Sequence, residues 1–80
     1  MTIITRNNGE ESIVLDNVVS IRKGNSYSNS ERTFYGQHTI VFRSVKGDVT
    51  YWVFGTTDKD ELLRDQEYER ITNKNNIIND

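Results

Sequence analysis

The side chains that most often carry out catalysis are scarce in this 80-residue chain, which has one histidine and no cysteine. Nucleophilic catalysis requires a base held against a nucleophile, and His38 is the side chain best suited to be that base near neutral pH. It lies in an alternating apolar segment that predicts a strand, which favours a structural histidine at the margin of a sheet. The sequence therefore predicts a protein that is not an enzyme.

Acidic residues are concentrated near the C-terminus, and carboxylates are the usual ligands of calcium and magnesium. Basic residues interrupt this acidic segment, and its DKDE run has neither the glycine nor the spacing of a calcium loop. The pattern is typical of the solvated face of a helix, so we expect neither a metal site nor a bound cofactor. The carboxylates concerned are Asp58, Asp60, Glu61, Asp65, Glu67 and Glu69.

Cations and aromatic side chains alternate in the middle of the chain, a composition typical of surfaces that stack single-stranded nucleic acid. Residues 17–47 carry a net charge of +4, whereas residues 1–16 carry −2 and residues 48–80 carry −4. Because the whole chain has a net charge of −2, binding of nucleic acid or a nucleotide is the alternative hypothesis rather than the leading one. Its candidate contact residues are Arg22, Lys23, Arg32, Tyr35 and Arg43.

The elements that position these side chains are organised around residues 33–54, the most apolar block of the chain, which predicts a hairpin. A two-residue loop at 46–47 would divide the large apolar side chains between the two faces. A type I turn at 45–46, followed by Gly47 in the left-handed conformation as a bulge, gathers them on one face, and we predict this register. The core face then carries Ile40, Phe42, Trp52 and Phe54, with His38 opposite Phe54.

The N-terminal part predicts short strands separated by turn signals. Strands are expected over residues 2–6 and 12–15, with a turn at Asn7–Gly9 between them. Asp16–Asn17 interrupts the second strand, and residues 18–22 are extended again. They form either a separate strand beyond a sharp corner or the continuation of one bent strand.

The segment GNSYSNSE, residues 24–31, is rich in turn-forming residues and predicts a long polar loop. It contains one aromatic side chain, Tyr27, for which local packing offers no explanation. A tyrosine in a loop offers a large contact area at low entropic cost. Tyr27 is therefore a candidate contact with a partner.

The C-terminal part predicts one helix that begins at Asp58, where Glu61 completes a capping box. Leu63 and Ile71, eight positions apart, are expected to face the sheet. The apolar positions of this segment do not form one narrow stripe, so a kink in the helix or a restart of it is expected near Asp65.

The predicted architecture is α+β and mainly β. It has about five antiparallel strands, in one sheet or in a small, partly open barrel, and one C-terminal helix. We expect a single domain over residues 1–73 and a frayed tail over residues 74–80. The sequence has no apolar run long enough for a signal peptide or a membrane span and no cysteine, so a cytoplasmic protein is expected.

One helix covers only one face of such a sheet, which leaves apolar side chains on the other face. Either the N-terminal strands close over that face or another protein docks on it, and a homodimer is the simplest case. Strand addition at an exposed edge is a second route. The leading hypothesis is a non-enzymatic protein-interaction module, of the kind expected for a small bacterial or phage accessory or inhibitor protein. The predicted contact residues are Tyr27, Val41, Tyr51 and Val53.

Overall fold

The computed structural model describes residues 2–6 and 10–75, which are mainly β with one C-terminal helix, as predicted. The predicted turn at Asn7–Gly9 and the end of the predicted tail, residues 76–80, lie outside the described residues. The elements are β1 (Ile3–Arg6), β2 (Glu11–Val14), a 3₁₀ turn (Leu15–Asn17), β3 (Val18–Ser28), β4 (Thr33–Ser44), β5 (Val49–Gly55) and α1 (Asp58–Asn75).

The strands form two antiparallel sheets, and the expected single sheet of five strands is wrong. β1 pairs with β2, and the second sheet has the order β3-β4-β5. The 3₁₀ turn makes the sharp corner between β2 and β3, where Leu15 is buried in the core. This confirms the prediction of two strands joined at a corner, and the alternative of one bent strand is wrong. Within residues 2–6 and 10–75 no backbone ladder joins the two sheets, so a barrel is not confirmed.

The β4–β5 hairpin has the predicted bulged register. Gly47 has a φ of +91°, the left-handed conformation that glycine adopts without steric cost. Ile40 lies opposite Trp52, so the large apolar groups share one face. The prediction that His38 lies opposite Phe54 is wrong. The register of the ladder shifts between His38 and Thr39, so His38 lies opposite Gly55.

The core lies between the three-stranded sheet, α1 and the β1–β2 hairpin, all of which contribute buried side chains. We call the sheet face that α1 and this hairpin cover the inner face, and the opposite side the outer face. At the centre of the inner face the rings of Phe42 and Trp52 meet edge to face, with their centroids 4.9 Å apart. The other buried members are Ile4, Leu15, Ile21, Ile40, Tyr68 and Ile71.

Helix α1 meets the sheet through an arginine and a tyrosine, while its two leucines face outward. Arg64, Tyr68 and Ile71 follow one another at spacings of four and three, which places them on one helix face, and all three are buried. Leu62 and Leu63 are 57% and 46% exposed. The prediction for Ile71 is thus confirmed, and the prediction for Leu63 is wrong.

The capping box of α1 lies one residue before the predicted pair of Asp58 and Glu61. The Asp60 backbone N–H donates to Thr57 Oγ1 at 3.1 Å, and the Thr57 N–H donates to the Asp60 carboxylate at 3.1 Å. Each side chain therefore satisfies a backbone donor that the first helical turn leaves unpaired. The helix then continues without a break through Asp65, so the predicted restart near that residue is wrong.

Acidification is expected to weaken this helix start. The hydrogen bond from the Thr57 backbone N–H holds the pKa of Asp60 below its ordinary value of 3.8, and the hydrogen bond with the Thr57 side chain acts in the same direction. A carboxyl with a lowered folded-state pKa contributes stability that is present above its unfolded pKa and is lost as the pH falls through the folded pKa. The unfolding temperature should therefore decrease when the pH is lowered below about 4.

The variants Asp60→Asn and Asp58→Asn, compared by thermal unfolding between neutral and strongly acidic pH, check this expectation. Asp60→Asn should flatten the acid limb of the curve, because it removes the titrating carboxyl from the capping box. Asp58→Asn removes a carboxylate from the same turn outside the box and is the control for the loss of a charge from this turn. Equal acid limbs for Asp60→Asn and the unsubstituted chain would contradict the assignment.

Candidate protein-interaction surface

The structure brings together the four residues predicted to contact a protein partner. Val41 lies opposite Tyr51 in the β4–β5 ladder, and Val53 is two positions further along β5. Side chains alternate along a strand, so these three point to the outer face while Phe42 and Trp52 point to the inner face. Tyr27 joins them through its ring, whose centroid is 6.3 Å from that of Tyr51.

The loop predicted over residues 24–31 is largely strand, because β3 extends to Ser28. Tyr27 lies opposite Phe34 of β4, and their rings stack with centroids 4.6 Å apart and an angle of 11° between the planes. A cross-strand aromatic pair of this kind stabilises a hairpin and accounts for the position of Tyr27. The connecting turn is confined to residues 29–32, where Asn29 Oδ1 accepts hydrogen bonds from two backbone N–H groups.

The distal part of the β3–β4 hairpin leans over the outer face. Thr39 and Val41 point to this face, yet they are 0% and 3% exposed. The ladder shifts register just beyond Gly24, where an added Cβ atom would lie 2.8 Å from Thr39 Oγ1. This close approach brings the Tyr27 ring towards the ring of Tyr51. Val41 consequently supports the surface from below and is not itself accessible to a partner.

Three arginines surround the aromatic rings of the outer face. Arg22 lies opposite Val41, and Arg43 lies opposite Val49. The Arg32 guanidinium carbon lies 4.1 Å from the centroid of the Phe34 ring. All three side chains are exposed. We define the outer cluster as Tyr27, Phe34, Tyr51 and Val53 together with Arg22, Arg32 and Arg43.

Two of the five residues predicted to contact nucleic acid lie away from the outer cluster. Lys23 points to the inner face, where its Nζ atom is 5.4 Å from the centroid of the Tyr68 ring and 3.7 Å from a carboxylate oxygen of Asp65. Tyr35 is 82% exposed and follows Phe34 in β4, so it points to the opposite side of the strand. The basic platform predicted from the sequence is thus divided between two faces.

The stacked rings already use much of the surface that a nucleobase would need. The Phe34 ring has Tyr27 against it at 4.6 Å and the Arg32 guanidinium over it at 4.1 Å. Both groups therefore lie within stacking distance of the same ring. Stacking of a base on Phe34 would therefore require one of these two side chains to move.

The sequence analysis gave no role to Arg6, which connects β1 to the edge of β5. Its guanidinium lies over the Phe54 ring, 4.3 Å from the centroid, and donates a hydrogen bond to the Val53 carbonyl oxygen at 2.8 Å. It also forms an ion pair with Glu11, with 2.6 Å between nitrogen and oxygen. The alternation in β1 gave no signal of this role, because the contact joins residues 47 positions apart.

The described part of the chain offers no alternative site of two further kinds. No group of three or more histidine, cysteine, aspartate or glutamate side chains there could hold a metal ion. No helix formed by those residues is long and apolar enough to cross a membrane. Comparisons of the chain with protein-family models, with curated proteins and with solved structures find no match. The outer cluster is thus the feature from which a function has to be argued.

Proposed function

We propose that this chain is a non-enzymatic protein-interaction module that binds an acidic surface of a partner protein through the outer cluster. One observation carries the proposal: α1 and the β1–β2 hairpin both pack on the inner face. In residues 2–6 and 10–75, only the bent end of the β3–β4 hairpin covers any of the outer face. The apolar and aromatic side chains of the outer cluster are half-buried. Such side chains, grouped on a face that α1 and the β1–β2 hairpin leave open, are typical of a docking surface.

The charges around the outer cluster indicate the chemistry of the partner. Its three arginines are exposed. The strands β3, β4 and β5 direct no aspartate or glutamate to the outer face in the described part of the chain. Arginine and tyrosine are the residues that most often dominate the binding energy of protein interfaces. A partner with carboxylates around an apolar centre would complement both features.

The arrangement of the aromatic rings favours a protein partner over nucleic acid. Three arginines supply few phosphate contacts, and Lys23 and Tyr35 lie outside the surface. The rings of Tyr27 and Phe34 pack against each other instead of presenting open faces for bases. A protein surface needs no free ring face, because it can pack against ring edges and arginine stems.

A peptide-display library tests the proposal, with the unsubstituted chain as bait and a matched pair of double variants. The first variant, Tyr51→Ser with Arg43→Gln, removes a ring and a charge from the outer cluster. The second, Tyr35→Ser with Arg70→Gln, makes the same chemical changes at exposed positions elsewhere. Selected peptides should be acidic with apolar residues, and the first variant should bind them at least about tenfold more weakly. The second should bind them as the unsubstituted chain does.

Two results would overturn the proposal. Peptides that bind both double variants equally would show that the outer cluster is not the docking surface. The same three proteins should also be titrated with a single-stranded oligothymidine at two salt concentrations. Binding that is lost at higher salt and lost in the Tyr51→Ser, Arg43→Gln variant, without any selected acidic peptide, would establish the nucleic-acid alternative.

A further inference from the structure

β5 forms one edge of the three-stranded sheet, and part of its backbone points away from β4. The Val53 carbonyl accepts its hydrogen bond from Arg6 of β1 and not from β4, so it points to the edge of the sheet beyond β5. Backbone groups of alternate residues point to the same side of a strand in an antiparallel ladder. The N–H and C=O groups of Val49 and Tyr51 therefore also point outward. Among the described residues, no other strand pairs with this edge.

The sequence of β5 does little to protect this edge. Natural proteins guard exposed edges with charged side chains, prolines, bulges or a covering element. β5 reads VTYWVFG and contains neither a charge nor a proline. Its three residues with outward backbone groups, Val49, Tyr51 and Val53, direct apolar or aromatic side chains to the outer face, and Val49 is 46% exposed. In the described part of the chain, Arg6 protects this edge at one end of β5, where it donates a hydrogen bond to the Val53 carbonyl oxygen.

We propose that β5 pairs with β5 of a second copy of this chain, antiparallel and across a two-fold axis. In this register Tyr51 faces its own counterpart, and Val49 of each copy faces Val53 of the other. The strand is self-complementary because it brings no charge against a like charge and pairs apolar side chains with apolar side chains. The pairing joins two three-stranded sheets into one sheet of six strands and closes after two copies, as an isologous interface must.

Arg6 limits the strength of this pairing. The Val53 carbonyl is a backbone acceptor at the paired edge, and the Arg6 guanidinium occupies it in the single chain at 2.8 Å. In the dimer, the Val49 N–H of the second copy would donate to this same carbonyl oxygen. The Arg6 guanidinium competes with it, so we expect a dimer that dissociates on dilution. The dimer would join the outer clusters of two copies on one continuous sheet. The pairing does not depend on the chemistry of the partner proposed above.

Molar mass measured by light scattering or sedimentation tests the pairing. The chain should change from monomer to dimer between about ten micromolar and about one millimolar, as expected for a small interface. Val49→Lys places a charge on the edge and should weaken the dimer at least about tenfold. Leu62→Lys adds the same charge at another exposed apolar position, on α1, and should leave the dimer unchanged.

Amide hydrogen exchange distinguishes edge pairing from packing of two outer faces. The N–H groups of Val49, Tyr51 and Val53 should exchange more slowly as the protein concentration rises. Those of Thr50 and Trp52 point to β4, so their exchange should not depend on the dimer. Three results would overturn the proposal. The first is slow exchange of all five of these N–H groups at every concentration. The others are a chain that stays monomeric throughout and a dimer that Val49→Lys leaves intact. Protection that arises only when a different protein is added would also overturn it.

Discussion

Replacing Trp52 with alanine is expected to remove a large part of the free energy of unfolding. The side chain is 2% exposed and fills the space between Phe42 and Ile40 on the inner face. Truncating a buried aromatic residue costs roughly 3 to 5 kcal/mol, because the surrounding groups cannot close the cavity. A domain of this length has a free energy of unfolding of about 4 to 12 kcal/mol. The loss is therefore a large part of the total, and the unfolding temperature should fall by roughly 15 to 35 °C.

Urea unfolding followed by far-ultraviolet circular dichroism checks this expectation without relying on tryptophan fluorescence. Trp52→Phe keeps most of the apolar volume and should lose less stability than the alanine variant. Tyr35→Ala removes a ring that is 82% exposed and should change the free energy of unfolding by no more than about 0.5 kcal/mol. A loss of less than about 1 kcal/mol in Trp52→Ala would show that the ring is not at the centre of the core.

Replacing Arg64 with methionine is expected to cost roughly 2 to 5 kcal/mol, although methionine has a similar shape. The Arg64 side chain is 6% exposed, and one of its terminal nitrogens donates to the carbonyl oxygens of Gly24 and Thr39, at 2.9 and 3.4 Å. These carbonyls lie where the β3–β4 ladder shifts register, so part of the sheet depends on a donor from the helix. Methionine leaves both carbonyls without this donor, and each buried polar group that loses its partner costs about 1 to 3 kcal/mol.

The control for this substitution is Arg70→Met, on the same helix but exposed and paired with Glu67 at the surface. It should change the free energy of unfolding by less than about 1 kcal/mol. Replacement of a buried ion pair by apolar groups sometimes stabilises a protein. An Arg64→Met chain that unfolds at the same urea concentration as the unsubstituted chain, or at a higher one, would show that the two carbonyls do not need the guanidinium.

The pKa of Asp65 reports a second contact of Arg64, which is separate from its contact with the two carbonyls. Partial burial raises the pKa of this carboxyl, but the hydrogen bond and the charge of Arg64, with a smaller effect from Lys23, outweigh burial and lower it. The Arg64 Nε atom lies 2.7 Å from the carboxylate. In Arg64→Met the pKa of Asp65 should therefore rise, which a titration followed by nuclear magnetic resonance would detect. An unchanged pKa would show that Arg64 does not lower it.

Features that depend on neighbouring residues could be predicted from the sequence. The turn at residues 45–47 follows from glycine, which adopts the left-handed conformation without a steric penalty. The pairing of Ile40 with Trp52 follows from the alternation of side chains once that turn is fixed. The helix near Asp58 follows from its capping residues, although the box itself forms between Thr57 and Asp60.

The sequence also supplied most of the candidate surface. Alternation in β4 and β5 was enough to place Val41, Tyr51 and Val53 on one face. Tyr27 was predicted to contact a partner, but its place in a strand was not predicted, because the serines and asparagines around it favour a loop. Its stacking partner, Phe34, lies across the hairpin, where only the folded chain brings the two rings within 4.6 Å.

Only the tertiary structure decided which side chains of α1 are buried. A helical pattern identifies leucine as the residue to face a core, yet Leu62 and Leu63 are exposed and Arg64 is buried. The reason is that Arg64 meets carbonyls that lie 40 and 25 positions earlier in the chain. Local propensity contains no information about such distant partners, so burial of a charge has to be read from the folded structure.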